Sequence, residues 1–555
     1  MKENGVLHAN DKDKANILNR QFEKAFSKQT HLKPGDLEQR CGVKENYADM
    51  QDIKFTVTGV RKLLDNINVS KAPGPDGIRP RVLKELASDI APILTMIFIR
   101  SYDSGIIPAI WKTAYVAPLF KKGEKYNAVN YRPVSLTCIC CKLMEHIVTS
   151  SIMKHGDTYN IFYTLQHGFR RGLSCETQLI DFIDDVTKNM DKKLDTDCII
   201  MDFSKAFDKV NHQLLTHKLK QYGIGKKTNT WITSFLTGRS QSVVVNGQIS
   251  DSVAVQSGVP QGSVLGPALF LYYINDMPAE LSLHTKVRLF ADDTLAYIAV
   301  SSPQDAQVMQ ADLDKLADWE EKWDMKFHPD KCVVLRITRK LTPHKYKYYL
   351  RGHCLKTVNN AKYLCVEISS DLRWDSHVAN LCKKGNRSIG FLKRNLNVNS
   401  QTIKDMAYKT LVRPQLEYAS SVWDPYLSKD IHRLEMVQRR AARYVCNRYH
   451  NRSSVSDMLM ELEWPTLQQR RKQARLIMMY RFSNCLTQVD TKNRLKTPAR
   501  LSRGMHSGSF QPMNARCDVR KNSFFPQTIR DWNELPQSTT SVDSLESFKH
   551  LVRSM

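Results

Sequence analysis

The spacing of apolar and polar positions changes several times along the chain, and each change predicts an element. Ala15, Ile17, Leu18, Phe22 and Phe26 share one face of an otherwise polar stretch, which predicts an amphipathic helix that serves as a connector or docks on the next domain. Helical patterns return at 60–67 and 82–101, on either side of the turn-rich Ser-Lys-Ala-Pro-Gly-Pro-Asp-Gly-Ile-Arg-Pro at 70–80. Residues 114–136 read as a β-hairpin with Lys121, Lys122 and Gly123 near its tip and Arg132 on the returning arm. An apolar-periodic helix is predicted over 177–190, and Cys198-Ile199-Ile200-Met201 is a short buried strand. Residues 243–247 reach the turn signal Asn246-Gly247, and an apolar helix is predicted over 268–277. From 376 onward the chain is patterned as helices dense in cations.

The stretch Leu289-Phe290-Ala291-Asp292-Asp293-Thr294 stands apart. Apolar runs flank two adjacent acids, which predicts strand, tight turn, strand. Adjacent carboxylates repel, so a hairpin tip carrying both is either solvated or bound to a cation. Upstream, Asp202 directly follows the buried strand ending at Met201, where simple solvation is not available. A cation shared by Asp202, Asp292 and Asp293 would satisfy all three. Asp208, a few residues on, is expected to cap or pair on the surface.

Loops supply the other candidate chemistry. In 70–80, Pro73 and Pro75 stiffen the chain, while Gly74 permits close approach of a partner and Lys71 sits beside it, which suits a phosphate backbone. Lys121, Lys122 and Arg132 converge from one hairpin, as a triphosphate clamp requires. Gln166-His167-Gly168-Phe169-Arg170 offers Phe169 to stack on a template base and Arg170 to clasp its backbone, with His167 expected to pack. Gly258, Gly262 and Gly266 let main chain press on a flat ligand, with Gln261 and Ser263 as polar contacts. For each cation the competing reading is a solvated turn or helix face.

Composition narrows the partner. The 555 residues make several domains, and 42% apolar residues supply substantial cores. Lys and Arg total 82 against 56 Asp and Glu, a net +26, which points to a polyanion and to nucleic acid ahead of a membrane surface. The 13 cysteines show no paired zinc spacing, so they are expected to be reduced thiols in an intracellular protein, nuclear or cytoplasmic. No secretory or membrane-spanning pattern is expected.

Three motifs taken in order resemble motifs A, B and C of reverse transcriptases. They are Asp202-Phe203-Ser204-Lys205-Ala206-Phe207-Asp208, then Gly258-Val259-Pro260-Gln261-Gly262-Ser263-Val264-Leu265-Gly266-Pro267, then Phe290-Ala291-Asp292-Asp293. They are similar to those of non-LTR (LINE-type) retrotransposons of the jockey and chicken-repeat group. Lys71 to Ile78, Asn130-Tyr131-Arg132-Pro133-Val134-Ser135, Gln166 to Arg170, and Trp319-Glu320-Glu321-Lys322-Trp323 leading to Lys331-Cys332 match that family as well.

The resemblance implies an α+β right-hand polymerase with fingers, an antiparallel-sheet palm and a helical thumb. The expected division is a helical connector at 1–55, fingers and palm at 56–340, primer grip and thumb at 341–450, and a basic helical extension at 451–555. It implies an RNA-directed DNA polymerase that extends a DNA primer on template RNA from dNTPs, with two Mg²⁺ ions (or Mn²⁺) held by Asp202, Asp292 and Asp293. Lys121, Lys122 and Arg132 would meet the triphosphate, and Phe203, Gln261 and Gly262 the nucleotide. Phe207 would be the steric gate against a ribose 2′-hydroxyl, and Lys331 the acid for pyrophosphate. Lys71, Gly74, Phe169, Arg170, Tyr363 and Leu364 would contact template or primer.

The sequence departs from the family at Tyr363-Leu364-Cys365, where Tyr-Leu-Gly is usual, and at His328-Pro329-Asp330, where Asn-Pro is common. No apurinic-type endonuclease pattern precedes Lys71. These features sustain an alternative, a catalytically inactive nucleic-acid-binding remnant. An RNA-directed RNA polymerase is a more distant reading that Phe207 opposes.

Overall fold

The computed structural model describes residues 1–3, 5–27, 34–41, 47–450, 452–500 and 505–554. The elements that position the site run in chain order. They are α1 (Asp11–Glu23), β1 (Thr113–Phe120), β2 (Tyr131–Leu136), α2 (Ile139–Thr158), α3 (Cys175–Asp191), β3 (Asp195–Met201), β4 (Arg239–Val245), α4 (Leu265–Ile274), β5 (Lys286–Phe290) and β6 (Asp293–Val300). After them come β7 (Val333–Ile337), β8 (Lys356–Val358), β9 (Asn360–Tyr363), β10 (Val366–Ser369), α5 (Asp375–Asn395), α6 (Ser428–Cys446) and α7 (Leu467–Ser483).

Two compact units interleave along the chain. One comprises Met1–Thr164, Asp202–Ser282 and Asp312–His328; the other Leu165–Met201, Leu283–Ala311 and Pro329–Met555.

In the first unit β1 pairs antiparallel with β2, as the alternating pattern predicts, and parallel with β4, Thr113 opposite Ser240. The amphipathic face of α1 buries Ala15, Ile17, Leu18 and Phe22 with Val116, Ala128 and Val243. The N-terminal helix is therefore a docked one. Asn10 caps it by accepting from the Lys12 N–H.

In the second unit the sheet order is β8, β7, β3, β6, β5, all antiparallel except β7 with β8. β3 sits at its centre and is buried almost throughout, which explains its unbroken apolar pattern. It also begins earlier than Cys198, at Asp195. The acids in this added stretch are neutralised internally: Arg336 grips Asp197 with Nε and Nη2 at 2.7 and 3.0 Å. A reciprocal capping box, Ser174 with Thr177, starts α3.

One apolar core joins α3 and this sheet to α5, α6, α7 and on to Trp532 and Phe548. The segment after 450 thus shares the core of the second unit and is not an appended tail. Arg471 and Arg475, two of the dense cations after 376, are 1% and 3% exposed and both bind Asp424, at 2.6 and 3.0 Å. Burying a guanidinium requires a partner carboxylate, and these have theirs. Lys383, Lys384, Arg387, Lys393 and Arg394 on α5 are exposed. Among the described residues no helix is long and apolar enough to cross a membrane.

Candidate active site

The hairpin predicted around Asp292 and Asp293 is present. Phe290 pairs with Asp293, leaving Ala291 and Asp292 as the turn, and Ala291 takes the left-handed conformation at φ +53°. On the other side of β6, Thr294 lies opposite Met201. Met201 ends β3, so the central strand runs out at the end of the sheet where the acids turn, and Asp202 is the next residue of the chain. The Asp202 carbonyl accepts from His328 N–H at 2.8 Å, and Ser204 N–H donates to the Lys326 carbonyl at 2.8 Å.

Motif A residues divide by depth. Phe203 is 3% exposed with its ring stacked on Phe327 at 4.0 Å. Apolar burial outweighs exposure there, and only its main chain is left for a ligand. Phe207 is half-buried and stacks on Phe270 at 4.5 Å and 16°, which holds its ring in one orientation. Asp208 is not a surface cap. It accepts from Gln261 Nε2 at 2.9 Å, and burial pushes its carboxyl up to about 6 against the pull of Lys205 and Gln261.

The glycine-rich loop is wrapped on motif A. Gly258 N–H donates to Val210 O and Val259 N–H to Phe207 O, each at 2.8 Å. A Cβ on Gly258 would fall 2.6 Å from Phe207 O, and its φ of +87° excludes other residues independently. At Gly262, φ +112°, a Cβ would lie 2.5 Å from Ser135 O on β2, while Ser135 N–H donates to Gln261 O at 2.6 Å. These glycines serve close approach of protein to protein. Buried Glu145 on α2 accepts from the N–H groups of Val264 and Leu265, satisfying the start of α4, and burial raises its pKa.

The hairpin β1–β2 carries exposed Lys121 and Lys122 just beyond β1, and exposed Arg132 faces Leu119 across it. Lys71 is exposed in its loop. Gly74 is buried, and a Cβ there would lie 2.6 Å from Cys138 N and Cα, so it packs on the start of α2.

In the second unit Phe169 is 55% exposed at φ +54°, and Arg170 donates to Gln488 at 3.1 Å. Lys331 is exposed in a 3-10 turn, Pro329–Lys331. Tyr363 and Leu364 are 2% and 8% exposed. The Tyr363 hydroxyl receives Gln178 Nε2 at 3.3 Å, and the Leu364 carbonyl receives the Tyr418 hydroxyl at 3.1 Å. Leu364 and Cys365 form the two-residue turn between β9 and β10, at φ +44° and +66°. Only Cys365 is exposed there.

Sequence reasoning missed the residues that brace these turns: Gln166, Glu145 and Tyr418. Gln166 stands 125 residues from Ala291 in the chain, so no local pattern signals the contact.

The three acids offer hard oxygen donors, the chemistry Mg²⁺ takes. Among the described residues no three His, Cys, Asp or Glu side chains are already gathered as a metal cage. The donor set fits a hard divalent ion.

Residues 120–368 match the family model of reverse transcriptase (RNA-dependent DNA polymerase). The chain is 26% identical over 401 residues to the RNA-directed DNA polymerase from mobile element jockey of Drosophila melanogaster, covering 70% of this chain and 44% of that protein. It is 27% identical over 413 residues to the probable RNA-directed DNA polymerase from transposon X-element of the same fly, covering 72% and 44%. For the probable polymerase from transposon BS the match is 25% over 464 residues, covering 80% and 50%. The chain spans about half the length of the curated relatives it matches.

Proposed function

We propose that this chain is the RNA-directed DNA polymerase of a non-LTR retrotransposon, extending a DNA primer on template RNA with dNTPs. One observation carries the reading: the register that sets Met201 opposite Thr294, with Asp202 following one strand and Asp292 and Asp293 at the start of the other. Fingers, palm and thumb are assigned on that basis to the β1–β2 hairpin, the β3-centred sheet, and helices α5 and α6.

Asp202, Asp292 and Asp293 would hold Mg²⁺, two ions in this reading, with Mn²⁺ as a substitute of similar ligand taste. When bound, the metal supplies Lewis-acid stabilisation at the primer 3′-oxygen and the departing pyrophosphate. The chain's own groups do the rest. Lys121, Lys122 and Arg132 neutralise the triphosphate, Arg as a planar fork and Lys as point charges. Phe207, fixed by Phe270, occupies the space a 2′-hydroxyl would need. Gln261, oriented by Asp208, and the Gly262 main chain hold the base pair. Lys331 delivers the proton to pyrophosphate. Phe169 stacks on a template base, with Lys71 and Arg170 on its backbone, and exposed α5 cations grip the duplex.

The alternative, an inactive nucleic-acid-binding remnant, is favoured by Cys365, a side chain in a left-handed turn position that suits glycine. Extension of a DNA primer on an RNA template in Mg²⁺, with Asp292→Ala alongside, separates the two. Product from the unaltered protein and none from the variant upholds the polymerase. No product from either, with RNA binding retained, selects the remnant.

A further inference from the structure

Ala291 is held in its left-handed conformation from one side by a single side chain. Gln166, 2% exposed, accepts through Oε1 from Ala291 N–H at 3.0 Å and from Gly168 N–H at 2.8 Å. Its Nε2 reaches the Ala291 carbonyl at 3.5 Å, the outer limit of a hydrogen bond. One amide therefore brackets the residue immediately before Asp292. The segment that carries it is laid along β5: Leu289 N–H donates to Leu165 O at 3.0 Å, and His167 N–H to Leu289 O at 2.9 Å. Gly168 completes the seat, since a Cβ there would stand 2.2 Å from Ala291 N.

For an alanine, φ near +55° costs about 1–2 kcal/mol of steric strain, and left alone this turn would relax toward φ < 0. Relaxation would swing the following peptide and with it the Asp292 carboxylate. Gln166 supplies the compensating bonds in a buried setting, where an orphaned Ala291 N–H would be costly.

We propose that Gln166 is a positioning residue for the metal-binding turn, setting the aim of Asp292 and Asp293 through the Ala291 main chain. The same short segment ends in exposed Phe169, so the turn and the expected template platform are built on one piece of backbone. This inference rests on the polymerase reading of Asp292.

The test uses the full chain and reads metal directly, by Mn²⁺ binding in electron paramagnetic resonance, alongside Mg²⁺ titration of primer extension. Asp292→Ala defines which bound Mn²⁺ belongs to the site. Gln166→Met keeps the volume and removes every hydrogen bond. The expected result is Asp292-dependent Mn²⁺ affinity weaker by about tenfold and a matching rise in the Mg²⁺ needed for half-maximal extension, with RNA affinity unchanged. Gln166→Glu keeps the oxygen that receives both N–H groups and should restore Mn²⁺ affinity to within about threefold of the unaltered protein. Gln166→Met binding Mn²⁺ like the unaltered protein overturns the inference and leaves the polymerase intact. If Gln166→Met does not fold, weak Mn²⁺ binding by folded Gln166→Glu overturns it equally. If the unaltered protein shows no Asp292-dependent Mn²⁺, the polymerase reading itself has failed.

Discussion

Arg494 Nε meets Asp184 Oδ2 at 2.7 Å, fastening the C-terminal segment to the middle of α3. Around this pair Arg520 also binds Asp184, Arg494 reaches Asp181, and Arg288 Nη2 meets Asp185 at 2.9 Å. Burial alone would raise the Asp184 pKa; Arg520, Arg494 and Lys188 outweigh it and hold the carboxyl below the usual range. A depressed pKa makes the clamp fully effective above the unfolded carboxylate range and weaker as pH falls through the folded value. Arg494→Ala removes charged hydrogen bonds while Arg520, Lys188 and Arg288 still face the carboxylates, so it should cost about 1.5–3 kcal/mol in denaturant unfolding. Exposed Arg387→Ala should instead leave stability unchanged and reduce the salt slope of RNA binding by about one. An Arg494→Ala protein as stable as the parent would show that the clamp does not hold the segment.

Cys365 occupies a turn position at φ +66° where a side chain is strained. Cys365→Gly should raise unfolding free energy by up to about 1 kcal/mol and increase primer extension, because main chain could then approach the primer. A drop in melting temperature would mean that the thiol makes compensating contacts.

Asp208 has a folded pKa raised to about 6 by burial, so its protonated form favours the folded state. That contribution is complete below the unfolded pKa, near 4, and is lost as pH rises through about 6. Asp208→Asn should therefore gain in melting temperature relative to the parent as pH is raised from about 4.5 to about 7.5. A difference that stays constant across that range would place the titration elsewhere.

Phe169 projects at 55% exposure from a segment otherwise pinned to β5. Phe169→Ala should weaken RNA template binding by about 1–3 kcal/mol, the worth of one stacked base, without changing stability. Unaltered template affinity would remove it from the template path.

Legibility tracked how local the governing physics is. The Asp-Asp hairpin, the basic hairpin at 121–132 and the α3 helix were legible because period and turn chemistry are written in adjacent residues. Gly74 was read as room for a ligand, and its missing Cβ makes room for Cys138; one missing Cβ looks the same in both cases. Phe203 and Tyr363 sit beside functional residues in the motifs, yet their rings face the core, and alternation along a strand or turn decides that, not motif membership.

The order of the acids, the glycine-rich loop between them and the surplus of cations were determined by sequence alone, because they are matters of residue type and spacing. Which cations are left exposed and which are paired internally was decided only by tertiary structure. Arg471, Arg475, Arg494 and Arg520 look no different from Arg387 in the chain, but they are paired with Asp424, Asp181 and Asp184 across long sequence separations. A charge's partner depends on what folding brings within a few ångströms of it, and no local pattern encodes that distance.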